Sequence, residues 1–234
     1  MQHILLIDDD CHLLACMRGF LTAAGYEVSA AEQASAARAQ FAAGKFALAV
    51  VDLMLPDGEG LDLVREMRAQ SPLPLIVISA RGDGADRMLA LEAGADMYLA
   101  KPFELEELVG RVAACLRTGG EDSGLEPLTC GELRVDGVAH RAWAGEQELT
   151  LTPKEFELLT ALLKAGGEVC RSADLLWEVW GYPPEVRTRT LDVHVGRLRK
   201  QLAKAGRTGC RLLTVSGIGY HLVGEASPPE PAPE

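Results

Sequence analysis

Asp52 is a carboxylate that ends an apolar run. In "FALAVVDLMLPDGEG", residues 46–60, six apolar residues lead into that acid and a Pro-Asp-Gly turn follows. Three further acids, Asp8, Asp9 and Asp10, close another apolar run, His3–Ile7. Ser79 closes a third such run, and Lys101, followed by Pro102, closes a fourth. In an open α/β sheet, ligands bind outside the carboxyl ends of the strands. These strand ends would therefore bring carboxylates, a hydroxyl and an ammonium to one rim. Two carboxylates about 5 Å apart repel by roughly 3 kcal/mol at an effective dielectric near 20, so such a cluster calls for a cation. Ligands that are all oxygen favour Mg²⁺ over zinc or copper. With the cation in place, Asp52 could meet an incoming phosphoryl group as a nucleophile and form an aspartyl phosphate. Lys101 would neutralise phosphate oxygens, and Ser79 would hydrogen-bond to one of them.

The elements that must position these groups alternate along the first half. Apolar runs at 3–7, 26–30, 47–51, 74–78 and 97–100 read as strands, and stretches at 11–24, 33–43, 59–69, 84–93 and 104–117 have helical spacing. The runs are apolar throughout, as in parallel strands covered on both faces. Five βα units predict an α/β fold with a doubly wound, five-stranded parallel sheet over residues 1–117. Residues 118–127, "TGGEDSGLEP", read as a linker, and 225–234, ending "SPPEPAPE", as a disordered acidic tail rich in proline. Between them, 128–224 holds short strand-like pieces up to 149, then "LTPKEFELLTALLKAGG", a helix that Thr152 would cap and Gly166-Gly167 would end. A second helix follows Ser172, a third runs from about Arg187 to Ala205, and "RLLTVSGIGYHLV" is a hairpin. Three helices and a terminal hairpin make an α+β winged helix-turn-helix, a DNA-binding module.

Charge divides the same way. The chain of 234 residues carries −11 overall, with −7 in residues 1–117, −3 in the linker, +2 in 128–224 and −3 in the tail. An acidic front half and a mildly basic back half predict different partners for each. The six cysteines are scattered with no Cys-x-x-Cys pair, which suits reduced thiols rather than a disulfide framework or a zinc site. No apolar run reaches the roughly 18–20 residues of a membrane helix. No cationic segment precedes the first run, so the expected location is cytoplasmic and no membrane partner is expected.

Residues 1–117 resemble the receiver (flavodoxin-like) domain of bacterial two-component response regulators, and the whole chain is similar to the OmpR/PhoB winged-helix subfamily. The stretches that carry the resemblance are "ILLIDDD", "VVDLMLPDGEG", "ISARGD", "ALEAGADMYLAKPF", "LTPKEFELL", "VWGY", "RTLDVHVGRLRKQL" and "TVSGIGYHL". The resemblance implies that Asp52 accepts phosphate from a histidine kinase. Asp8 and Asp9, with Asp52 and the main-chain carbonyl of Met54, would hold Mg²⁺. Ser79 and Tyr98 would be the switch pair, Ser79 turning toward the phosphate and the Tyr98 ring filling the space it leaves. The implied function is transcription regulation by a phosphorylation-promoted homodimer on double-stranded promoter DNA, in concert with RNA polymerase. The chain would be a switch rather than a turnover enzyme.

The third helix carries Arg187, Arg189, Arg197, Arg199, Lys200 and Lys204 against one acid, Asp192, while Leu191, Val195, Leu198 and Leu202 form its apolar seam. The resemblance places Arg189, Thr190, His194, Arg197 and Arg199 at DNA-facing positions, and Thr214 and Tyr220 in a wing near the backbone. Gly196 and Ser216 depart from the side chains usual there, so binding is expected to rely on Arg197, Arg199 and dimer formation. Arg87, Asp96, Glu107 and Arg111 are the implied charged dimer positions, and Met97 and Ala113 depart from the acid and base common beside them. Two other readings remain open. One is a DNA-binding regulator with a vestigial receiver. The other is a phosphotransfer enzyme; a haloacid-dehalogenase-type phosphatase would want an acid where Met54 stands, and a dinucleotide binder a Gly-rich turn where "DDDCHL" stands.

Overall fold

The structure, a computed structural model, describes residues 1–80, 84–116, 127–137, 139–183, 186, 188–206 and 208–224. The expected linker (save Pro127), the expected tail and Arg187 lie outside the described residues. The chain falls into two compact units. One comprises Met1–Thr118, Thr152–Lys154 and Arg187–His194; the other comprises Gly119–Leu151, Glu155–Val186 and Val195–Glu234.

The first half runs β1 (His3–Ile7), α1 (Cys11–Ala23), β2 (Glu27–Ala31), α2 (Ala34–Ala43), β3 (Leu48–Asp52), β4 (Met54–Leu55), β5 (Gly58–Glu59), α3 (Gly60–Gln70), β6 (Leu75–Ser79), α4 (Gly84–Ala93), β7 (Met97–Ala100) and α5 (Leu105–Leu116). The expected five-stranded parallel sheet is present, in the order β2-β1-β3-β6-β7. β3 and β6 are buried over their full length, which is why their sequences are continuously apolar instead of alternating. α1 packs against α5, while α3 packs against both α2 and α4. In α1, Leu14, Met17 and Leu21 recur at helical spacing and are buried, and the Asp10 carboxylate caps the helix by accepting from the His12 and Leu13 N–H groups.

Two strands were absent from the sequence reading. β4 and β5 form a small antiparallel hairpin between Asp52 and α3, with Met54 opposite Glu59 and Leu55 opposite Gly58. The hairpin folds tightly because the chain must return at once to the sheet, where the Gly60 N–H donates to the Leu53 carbonyl at 3.0 Å. A Cβ on Gly60 would lie 2.2 Å from the Asp52 carbonyl oxygen, so this close approach requires glycine.

In the second half, β8 (Leu128–Cys130), β9 (Leu133–Asp136), β10 (Arg141–Ala144) and β11 (Gln147–Glu148) form an antiparallel sheet ordered β11-β10-β9-β8. α6 (Pro153–Lys164), β12 (Cys170–Arg171), α7 (Ser172–Trp180), α8 (Thr190–Lys204), β13 (Cys210–Val215) and β14 (Gly219–Gly224) follow. β12, β14 and β13 make a three-stranded sheet, so the expected hairpin is joined by a short strand preceding α7. This is a winged helix. α8 starts at Thr190, later than the sequence reading placed it; the Thr188 hydroxyl takes the Thr190 N–H at 3.1 Å in the turn that leads into the helix. Leu191, Val195, Leu198 and Leu202 are buried as the apolar seam requires.

Candidate functional site

The order of the sheet reverses between β1 and β3, the two strands whose ends carry Asp8 and Asp52. Chain order thus puts a crevice at their carboxyl ends. Ile7 pairs with Val51 and Asp52 with Ile78, so the strand ends are level. Ser79, the last residue of β6, is buried beside them and pairs with Ala100 of β7. Lys101 follows β7 directly, and its own N–H donates to the Ser79 carbonyl at 2.8 Å. Four strands therefore deliver the predicted groups to one place.

Within the pocket the Lys101 ammonium donates to Asp8 Oδ2 at 2.7 Å and also to Asp52 Oδ2. The remaining oxygens take backbone donors: Asp8 Oδ1 accepts from the Asp10 N–H at 3.0 Å, and Asp52 Oδ1 from the Met54 N–H at 2.9 Å. Asp8 and Asp52 are buried, whereas Asp9 stands exposed at the rim. One carboxylate oxygen from each of Asp8, Asp9 and Asp52 lies within 4.8 Å of the others. Burial pushes the Asp8 carboxyl above its usual range, against Lys101 and the Asp10 N–H, which pull it down. Burial alone would weaken proton binding at Lys101, but its bonds to Asp52 and Asp8 outweigh this and move it upward. A lone ammonium among three acids leaves negative charge uncompensated, and the donors are all hard oxygens. The pocket fits a divalent cation.

Beside the pocket, Asp9, Met54, Leu55, Glu59, Leu61 and Asp86 line an open cleft. Asp10, grouped with its neighbours in the sequence, serves as the cap of α1 and its carboxyl is held below the usual range by the Leu13 and His12 N–H groups. Tyr98 is buried on β7, opposite Val77 of β6.

One predicted dimer position needs correction. Asp96 is fully buried, and its Oδ2 accepts from Arg68 at 2.6 Å and from the Leu75 N–H at 2.9 Å. It is a structural acid that fastens α3 to the start of β6, not a surface charge. Arg68 was missed in the sequence; its partner is 28 residues away and no local pattern marks it. Glu107 and Arg111 are paired with each other along α5 at 3.3 Å, and Arg87 is half-buried on α4.

The DNA-facing set also divides. Arg189, just before α8, and Lys200 on it are exposed, and Arg197 is half-buried. Thr190 and His194 are fully buried, contrary to expectation. They lie one turn apart, flanking the apolar seam, with the His194 Nδ1 2.8 Å from the Thr190 carbonyl and the Thr190 hydroxyl 2.7 Å from that of Thr188. Arg199 is also redirected: Nε and Nη2 donate to the Leu212 carbonyl at 3.0 and 2.9 Å, and Nη2 donates to the Thr214 hydroxyl at 2.8 Å. Its guanidinium lies over the Tyr220 ring, 5.9 Å from the centroid, and Tyr220 is buried. Arg199 and Tyr220 brace the wing, and Thr214 is exposed on it.

Known proteins share this arrangement. Residues 4–113 match the family described as response regulator receiver domain, and residues 146–222 the family described as transcriptional regulatory protein, C terminal. The DNA-binding response regulator MtrA of Mycolicibacterium smegmatis is 38% identical over 228 residues, covering 97% of this chain and 98% of that protein. The sensory transduction protein RegX3 of Mycobacterium bovis is 35% identical over 227 residues, covering 96% of this chain and 100% of that protein. Among solved structures, the response regulator DrrB of Thermotoga maritima, an OmpR/PhoB homolog, has a TM-score of 0.51 at 28% identity and covers 96% of this chain and 100% of its own. Among the described residues, no helix is long and apolar enough to cross a membrane.

Proposed function

The chain belongs to the OmpR/PhoB family of DNA-binding response regulators of two-component systems, and on that footing we propose that Asp52 is its phospho-acceptor, charged by a histidine kinase. The observation that carries this reading is the Lys101 ammonium bridging Asp8 and Asp52 in a pocket of three converging carboxylates. An Asp52 oxygen attacks the phosphorus of a phosphohistidine. The P–N bond breaks with its electron pair on the imidazole, and an acyl phosphate forms on Asp52. Mg²⁺ held by Asp8, Asp9, Asp52 and the Met54 carbonyl would supply the charge neutralisation that lets a carboxylate meet a phosphoryl anion. Lys101 can turn an N–H from a carboxylate to a phosphoryl oxygen without leaving the pocket. Ser79 donates to another such oxygen, and the Tyr98 ring moves into the space this opens.

The acceptor is part of the chain, so the site works as a switch and not as a turnover enzyme. Phosphorylation promotes a symmetric dimer through α4, β7 and α5, with Arg87, Glu107 and Arg111 on that face. Arg189, Arg197, Lys200 and Thr214 then contact double-stranded promoter DNA, with Arg187 on the approach to α8 and RNA polymerase as a further partner. The setting is the cytoplasm, where promoter DNA and the kinase's catalytic portion meet. Incubation with acetyl phosphate and Mg²⁺ tests the acceptor: intact-mass measurement should show one phosphoryl group gained by the parent and none by Asp52→Ala. A folded parent that gains nothing, or an Asp52→Ala variant that gains as much, overturns the reading.

A further inference from the structure

Asp57 sits at the exposed tip of the β4–β5 hairpin, yet its two carboxylate oxygens are engaged 23 and 22 residues back in the chain. The Ala34 N–H donates to Oδ1 at 2.7 Å and the Ser35 N–H to Oδ2 at 2.9 Å. These are the first two amides of α2, which have no partner within their helix. Gln33 occupies the capping position, with extended backbone and its carbonyl accepting from Ala37, but its side chain makes no cap. The helix therefore takes its cap from the loop that follows the phospho-acceptor. The Ser35 N–H first, then the Ser35 hydroxyl and the Ala34 N–H, hold the Asp57 carboxyl below its usual range, as a charged cap at a helix N-terminus should be.

The other end of that hairpin reaches the reacting group. Met54 in β4 gives its N–H to Asp52 Oδ1 at 2.9 Å, while Lys101 holds Oδ2. The orientation of the Asp52 carboxylate thus depends on where β4 lies. Among the described residues β4 is paired only with β5, a strand of two residues, so the hairpin needs an external anchor. α2 is a firm one: Ala34 and Ala37 are buried, Gln40 Nε2 donates to the Ala30 carbonyl at 3.0 Å, and Arg38 pairs with Glu66 of α3 at 2.6 Å.

We propose that Asp57 is a positioning residue for phosphoryl acceptance, tying the β4–β5 hairpin to α2 and so fixing, through the Met54 N–H, the carboxylate of Asp52. This inference rests on Asp52 being the acceptor. The alternative is that Asp57 only stabilises α2, and a substitution that returns a cap without the tie separates the two. In Asp57→Ala, α2 loses its cap. In Gln33→Asp with Asp57→Ala, the cap is supplied locally by a preferred residue, but the hairpin stays untied.

The experiment compares parent, Asp57→Asn, Asp57→Ala and the double variant in thermal unfolding, in amide exchange at Met54, and in rate of mass gain from acetyl phosphate with Mg²⁺. The double variant should recover the melting temperature lost in Asp57→Ala, yet still exchange the Met54 amide faster than the parent. Its phosphorylation should stay slower by about tenfold, the scale expected when a reacting group is misplaced by a fraction of an ångström. Asp57→Asn keeps one acceptor oxygen and should fall between parent and Asp57→Ala. A double variant phosphorylated at the parental rate overturns the proposal, as does a Met54 amide equally protected in parent and Asp57→Ala. A parent that gains no phosphoryl group, or gains it elsewhere, defeats the Asp52 reading instead, and the Met54 amide still tests the tie.

Discussion

Asp8 shows what the pocket costs the molecule without a cation. Its carboxyl is raised mainly because burial disfavours the charged form, and Lys101 only partly offsets this. A group whose folded pKa lies above its unfolded value of about 3.9 binds its proton more tightly in the folded state. The associated stability is present below that value and is lost as pH rises through the folded pKa, so at neutral pH the ionised Asp8 is a net cost. Asp8→Asn should therefore melt at a higher temperature than the parent at pH 7 in chelator, the advantage shrinking toward pH 3. Lys101 keeps Asp52 as partner in the variant. Added Mg²⁺ should narrow or reverse the difference, since a ligand bound only by the folded parent stabilises it by about 2.7 kcal/mol at a hundred times its Kd. An Asp8→Asn variant less stable than the parent in chelator at pH 7 would contradict the burial argument.

At the scale of elements, the β3–α3 connection concentrates the constraints. Gly60 opens α3 with the Asp52 carbonyl against the place where a side chain would begin, 2.2 Å from an added Cβ, with the Leu53 Cα at 2.6 Å. Both neighbours are backbone, so relief requires moving the end of β3 itself. Gly60→Ala should cost about 3 kcal/mol in urea unfolding, the upper part of the range for overpacking, and should slow phosphorylation because the strand end carries Asp52. Unchanged stability would mean that the connection can yield. The sheet strands themselves were legible in the sequence to within a residue, the central ones because parallel strands covered on both faces leave uninterrupted apolar runs, whereas the edge strand β2 carries Glu27 and Ser29. The pocket was legible for the same reason: each of Asp8, Asp52, Ser79 and Lys101 terminates such a run. Asp57 announced a turn between Pro56 and Gly58 but not the helix it caps, and Asp96 gave no sign of Arg68. Both partnerships join residues more than twenty apart, where neither a period of two nor one of 3.6 leaves a trace. His194 is buried and Arg199, though exposed, leans onto the wing, because helical spacing separates faces only coarsely. The seam's flank and the reach of a long guanidinium to the Leu212 carbonyl are tertiary facts.

For the whole molecule, charge decides what kind of coupling phosphorylation can exert on DNA binding. Residues 1–117 carry −7 and residues 128–224 only +2. A phosphoryl group on Asp52 makes the acidic half more negative, and long-range repulsion from DNA then grows instead of shrinking. On the proposed reading, a gain in DNA affinity comes from assembly and not from charge. Two winged helices joined in one dimer present the second to its half-site at an effective concentration set by the linkage, and avidity of this kind exceeds either single affinity by about a hundredfold or more. The prediction is a contrast between two duplexes in fluorescence anisotropy at fixed salt. On DNA with two half-sites about 10–11 base pairs apart, one helical turn, phosphorylated protein should bind at least about tenfold tighter than unphosphorylated protein. On a duplex with one half-site the two forms should bind alike, or the phosphorylated form slightly weaker at low salt. An equal gain on the single half-site would mean that phosphorylation acts within one chain on the DNA-binding surface, and the dimer would no longer be needed to explain the switch.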